Sequence, residues 1–274
     1  MKLTSFIAMA ALALAACSSD LGSVSGDDDD DVSAGPDAGD SVDPDAAPEV
    51  EQDGRVDLGL QAEWKFKEGA GGLIADTGAV GPALDWSIQD PLAVQWIPGG
   101  GINITQPTII KTITPPTKIH AACTAANQVT TEAWIRPAGV NQAGPARILT
   151  YSIDTANRNF TLGQANAAYN YRLRTSESDL NGTPATLSET GFTGGLQHVV
   201  ITRDPAQTIM YIDGEIAGTQ ALGGDFALWD SSYEMALGNE ITLDRPWRGE
   251  IFLAAVYCRS LSQLEVQQNF EAGY

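Results

Sequence analysis

The chain of 274 residues is poor in metal-binding side chains, with three cysteines and two histidines. That count excludes Cys/His sites of the zinc-finger kind. Positive charge is scarce too: 15 Lys and Arg stand against 35 Asp and Glu, a formal net charge of -20. A surface of that sign repels phosphate backbones, which excludes nucleic acid as a partner. Beyond the first twenty residues no apolar run reaches the roughly 18 residues of a membrane-spanning helix. Strands alternating with helices are also missing, which argues against a doubly wound parallel sheet.

What is present divides into three parts. Residues 1–16 read as a processing signal: Lys2 is the basic start, and Phe6 to Leu14 is an apolar stretch too short to span a bilayer. It closes on Leu14-Ala15-Ala16-Cys17, which resembles the bacterial lipobox, in which the cysteine is lipidated and becomes the new amino terminus. The resemblance implies a lipid anchor on Cys17. Ser18 rather than Asp after it implies the outer membrane of a two-membrane bacterium. Residues 17–57 hold 14 of the acids and one base, with Ser, Gly, Pro and Ala and no aromatic. Such a stretch buries too little to offset its ordering entropy and is expected to be a solvated, disordered tether. The run Asp27 to Asp31 lacks the alternating ligands and turn glycine of a calcium loop.

From Leu58 to Tyr274 short apolar runs are cut by Gly, Pro, Asn and Asp. Leu60 to Phe66, Val129 to Arg136 and Phe160 to Leu162 alternate in polarity. His198 to Arg203 and Thr208 to Ile212 are β-branched, closed by Asp204-Pro205 and Asp213-Gly214, and read as a meander over 197–217. Ile251 to Tyr257 is a continuously apolar strand. Many short strands at close spacing predict an all-β sandwich or barrel. One helix is expected, at the end: Ser262 and Glu265 form a capping box, Leu261 can staple to Val266, and Gly273 can close it. His120 falls in an expected loop, and His198 in mid-strand reads as a packed, hydrogen-bonded side chain.

Five motifs recur in a fixed order. They are Leu60-x-Ala-x-Trp64-x-Phe66 with Asp76-Thr77-Gly78, then Thr131-Glu132-Ala133-Trp134-Ile135-Arg136-Pro137, and Gln197 to Arg203. Met210-Tyr211-Ile212-Asp213-Gly214 and Trp247-x-Gly249 through Arg259-Ser260-Leu261-Ser262 follow. Together they resemble the laminin G-like, concanavalin A-like superfamily. The resemblance implies an antiparallel two-sheet jelly roll of some twelve to fourteen strands over residues 58–274, with a short C-terminal helix. It departs from the pattern at Phe252 and Leu253, where the family often has an Asp-Glu pair, and at Gln197, where Trp is usual.

Cys123 and Cys258 form an even pair once Cys17 is set aside, and terminal strands are often neighbours in jelly rolls, so a disulfide is expected; the alternative is two buried, unreactive thiols. Catalysis is not: the glucanase strand E-x-D-x-x-E does not occur, and Glu63 and Glu68 fall on opposite faces of a strand. The resemblance implies a Ca²⁺ site at the sandwich rim, with Asp76, Asn239, Glu240 and Asp244 as oxygen donors. It also implies a ligand rim, for which Trp229, Asp230, Tyr233, Arg245 and Trp247 supply aromatic and planar polar types. The competing readings make Asp76 and Asn239 turn caps, pair Glu240 with Arg245, and make both tryptophans core anchors. The function expected is non-catalytic binding of polysaccharide or an envelope or surface protein. A purely structural envelope part is the alternative, and a polysaccharide-active enzyme the remotest.

Overall fold

A computed structural model describes residues 54–142, 144–189 and 191–274. The expected signal, Cys17 and the tether as far as Asp53 lie outside the described residues.

Chain order runs β1 (Leu60–Trp64), β2 (Leu73–Ile74), β3 (Trp86–Ile88), β4 (Val94–Trp96), β5 (Ile102–Ile104) and β6 (Ile110–Thr112). Helix α1 (Thr117–Ala126) follows, then β7 (Val129–Pro137), β8 (Ala146–Ser152), β9 (Arg158–Ala165), β10 (Ala168–Leu173) and β11 (Thr186–Leu187). The chain closes with β12 (Gln197–Asp204), β13 (Gln207–Ile212), β14 (Glu215–Ala221), β15 (Glu234–Leu237), β16 (Gly249–Tyr257) and helix α2 (Gln263–Ala272). These strands build two eight-stranded antiparallel sheets. The first has the order β14-β13-β12-β7-β16-β5-β4, with β1 also paired to β16; the second is β11-β10-β9-β8-β15-β6-β3-β2. This is the jelly-roll sandwich expected from the sequence, with sixteen strands among the described residues rather than twelve to fourteen.

Period-two patterning sets the faces. On β7, Val129, Ala133 and Ile135 enter the core between the sheets, whereas Trp134 joins a second apolar cluster on the outer face of the first sheet. Val200, Tyr211, Phe252, Leu253 and Tyr257 belong to that outer cluster, as do Leu261 just before α2 and Val266 on it. The meander forms as read, with Asp213 and Gly214 both at positive φ (53° and 82°) in the β13–β14 hairpin. At α2 the Ser262 side chain accepts from the Glu265 N–H while the Glu265 carboxylate accepts from the Ser262 N–H.

Three expectations need correction. His120 lies in α1, not in a loop; its Nε2 donates to the Trp229 carbonyl at 3.2 Å. The Ala-rich segment after Pro115-Pro116 can form a helix that stops at Asn127, which takes the left-handed conformation (φ 51°) that asparagine tolerates. Second, the packed domain begins before Leu58: Val56 is buried in the outer cluster and Arg55 is inserted under α2. Their apolar and ion-pairing contacts outweigh the acidic composition around them. Third, Glu240 pairs with Arg147 rather than with Arg245. The expected disulfide is present: Cys123 on α1 is bonded to Cys258 just beyond β16, Cα atoms 4.4 Å apart across 135 residues.

Candidate functional site

The five residues read as a ligand rim are not brought together as an open platform. Trp247 is fully buried and its Nε1 donates to Gln164 Oε1 at 2.8 Å. Trp229 is 6% exposed, stacks on Phe226 at 4.3 Å and donates from Nε1 to the Arg174 carbonyl. Neither offers a ring face to a sugar, which corrects the expectation of exposed Trp229 and Trp247. The cause is packing: each indole fills the inter-sheet core and sends its one donor to a buried acceptor. Asp230 caps the turn through Ser232, Tyr233 packs against the core edge, and Arg245 pairs with Asp244 at 3.4 Å on the surface.

The four oxygen donors proposed for Ca²⁺ are also divided. Asp76 accepts from the backbone N–H groups of Glu63, Gly78 and Leu84 and pairs with Lys118 at 2.5 Å. Asn239 Oδ1 accepts from the Glu240 and Arg245 N–H groups. Glu240 is sealed against Arg147 and Ser152, and Asp244 stands exposed beside Thr242. Among the described residues no group of three or more His, Cys, Asp or Glu is placed to hold a metal ion.

A different surface carries convergent polar groups. Arg136 on β7 stands opposite Glu250 on β16, which stands opposite Asn103 on β5, which stands opposite Gln95 on β4. One cross-strand row therefore runs over the outer face of the first sheet. Arg136 and Glu250 form an ion pair, and the guanidinium carbon lies 5.7 Å from the centre of the Phe252 ring. A register shift between Ile251 and Leu253 turns Phe252 outward, against Tyr274 at 4.7 Å. Phe252 is where the family often has an acid; the apolar ring supports the arginine instead.

A cavity of about 430 Å³ sits over this row, bounded by Asn103, Arg136, Glu250 and the half-buried Phe192. A neighbouring one of about 370 Å³, lined by Asn141, Gln142 and Arg248, shares Ala138 with it. The loop between them is fastened from beneath. Gln142 donates to the Arg248 carbonyl and accepts from its N–H, at 2.8 and 2.7 Å. Gln142 also donates to Gln164, which donates to the Gly139 carbonyl and accepts from Trp247. Trp247 thus holds the rim from inside. The arrangement offers guanidinium, carboxylate and amide groups along one line with an aromatic wall, which can exchange paired hydrogen bonds with hydroxyls or a peptide. No sequence pattern marks this row, because its members come from the β4–β5 hairpin, β7 and β16, which lie far apart in the chain.

Beneath α2 lies a second cluster that sequence reasoning passed over. The fully buried Glu132 carboxylate accepts from Arg55 (2.6 Å), His198 Nε2 (2.7 Å), Asn269 (3.0 Å) and the Tyr257 hydroxyl (3.2 Å). Burial alone would raise its pKa; the His198 hydrogen bond and charge and the Arg55 guanidinium outweigh burial and hold it at about 2. His198 is the packed, hydrogen-bonded histidine expected of a mid-strand position.

Two antiparallel sheets of eight strands each define a jelly-roll sandwich. The family model described as the concanavalin A-like lectin/glucanases superfamily, of laminin G type, matches residues 112–267, more than half of the chain. The chain belongs to that superfamily. No curated protein matches it. Among solved structures it is similar to the receptor binding domain of a botulinum neurotoxin C/D mosaic serotype, at 14% identity and TM-score 0.58, over 79% of this chain and 52% of that one. A botulinum neurotoxin DC binding domain in complex with rat synaptotagmin II is similar at 12% identity and TM-score 0.58, over 79% and 52%. Trypanosoma rangeli sialidase, in complex with 2,3-difluorosialic acid, is similar at 14% identity and TM-score 0.56, over 78% and 33%. The chain spans about half or less of the length of these structures. At such identities the likeness is one of fold.

Proposed function

We propose that this chain is a bacterial envelope lipoprotein, anchored through Cys17, that displays a non-catalytic jelly roll on an acidic tether and binds glycan on an envelope or cell surface. The observation that carries the binding reading is the cavity over Arg136, Glu250 and Asn103, walled by Phe192. Sugars suit it: vicinal hydroxyls accept two hydrogen bonds from a guanidinium or donate two to a carboxylate, and a pyranose face lies against an aromatic ring. Similarity to receptor-binding domains, and to a sialidase holding a sialic acid derivative, is in keeping with this reading. A surface protein is the second reading, favoured by the likeness to a domain in complex with synaptotagmin.

A glycan array probed with residues 54–274, with and without calcium, tests it. A confined set of hits that is lost in Arg136→Ala and in Asn103→Ala is the expected result. A blank array in both conditions refutes the glycan reading and turns the search to proteins of the envelope.

A further inference from the structure

A third cavity, of about 560 Å³, lies where the β4–β5 hairpin meets the segment that follows β1. It is lined by Lys67, Gly69, Trp96, Ile97, Pro98, Gly99 and Gly100. Of the six tryptophans, Trp96 is the one that is half-buried; the other five are buried. It packs against the inter-sheet core, and its Nε1 donates to the Gly71 carbonyl at 3.0 Å, so the ring is held with part of its surface facing out. The exposed part of the ring faces the cavity that it lines and is available to an apolar ligand face.

Lys67 is exposed, and among the described residues it is the one lysine with no carboxylate in ion-pair reach. Lys65 pairs with Glu63, Lys111 with Glu234 and Lys118 with Asp76. Its placement is built. The Phe66 carbonyl accepts from the Gly101 N–H at 2.8 Å, tying β1 to the hairpin. The Lys67 stem lies along Gly100, whose missing Cβ would sit 3.6 Å from Lys67 Cγ. Gly99, Gly100 and Gly101 all take positive φ (90°, 123° and 105°), which lets this hairpin curl around the pocket without side chains filling it. No carboxylate lines the cavity.

We infer that this pocket is a binding subsite for a sugar bearing a single carboxylate. The pyranose face would stack on Trp96 and the carboxylate would pair with the Lys67 ammonium. One ammonium matches one carboxylate. A dense polyanion is disfavoured by the -20 charge of the whole chain, whereas a lone charge within contact distance answers mainly to the nearest partner. The inference stands apart from the groove over Arg136 and would survive its failure.

Saturation-transfer NMR and titration calorimetry with a glucuronate-terminated disaccharide and its carboxyl-reduced counterpart test it, using residues 54–274. The parent protein is expected to bind the acid about tenfold more tightly than the reduced sugar, the size of one charge-assisted hydrogen bond. Lys67→Gln should erase that preference, Lys67→Arg should restore most of it, and Trp96→Ala should weaken both sugars. Lys67 is exposed, so its variants are expected to fold as the parent does. Equal affinity for the two sugars, a preference that persists in Lys67→Gln, or no transfer to either at millimolar concentration would each overturn the inference. Binding lost in Arg136→Ala but unaffected in Lys67→Gln would place the acid in the other groove and overturn it as well.

Discussion

Replacing Glu132 by Gln tests the physical account of how α2 is held on the sandwich. The side chain keeps its shape and loses its charge. In the parent, the carboxylate takes four donors and is 0% exposed, with its pKa lowered from 4.5 to about 2. A depression of that size corresponds to about 3 kcal/mol of stability at neutral pH. The same figure follows from the other direction. The substitution leaves Arg55 with Glu63 at 3.3 Å as its remaining carboxylate and with the Gly273 carbonyl at 2.8 Å, and breaking a buried pair costs about 3–5 kcal/mol before those residual contacts are counted. For a domain of this size about 3 kcal/mol lowers the melting temperature by about 6–12 °C. Because the folded pKa is depressed, the contribution is complete above the unfolded value and fades as pH falls from about 5 towards 2. The difference between parent and Glu132→Gln should therefore be widest at pH 6–8 and close progressively below about pH 4. Calorimetric melting across that range measures it, and Trp134, stacked on His198 at 4.8 Å and on Phe270 at 5.7 Å, reports α2 docking by fluorescence. A variant that melts within about 2 °C of the parent at pH 7, or a gap that stays constant to pH 2, would refute the reasoning.

Reducing Cys123–Cys258 opens a loop of 135 residues, for which chain entropy gives up to about 5 kcal/mol and measured bridges about 2–4, so dithiothreitol should lower the melting temperature by about 5–15 °C. Gly101→Ala would put a Cβ 2.7 Å from the Phe252 ring at φ 105°; a loss of about 1–3 kcal/mol in urea unfolding is expected, and a neutral result would contradict the packing described for that hairpin. Intact-mass measurement of the membrane fraction should find acyl chains on the amino-terminal Cys17 and none in Cys17→Ser, where release into the soluble fraction is expected; an unmodified Cys17 would remove the anchor from the proposal.

Local patterning decided much of this protein. Alternation over Leu60 to Phe66 and Val129 to Arg136 marked strands, because a half-buried strand must change face at every residue. Asp213-Gly214 marked a hairpin because its turn needs two positive φ values, and Ser262 with Glu265 marked the start of α2 because orphan N–H groups there need side-chain partners. The order of such motifs was enough to place the jelly roll, and the cysteine count together with that fold made a Cys123–Cys258 bridge the expected pairing, which the structure contains. What took the tertiary structure was sidedness and company. Trp229, Trp247 and Trp96 look alike in a one-dimensional reading, yet two are core and one lines a pocket, since the direction in which a connecting segment or a strand end sends its side chain depends on what packs over it. Arg55 looked like one base in an acidic tether until Glu132, 77 residues on, was seen beside it. The row Gln95, Asn103, Glu250 and Arg136 exists only where four strands lie in register, and register over such distances is set by the packing of both sheets, not by any neighbour in the chain.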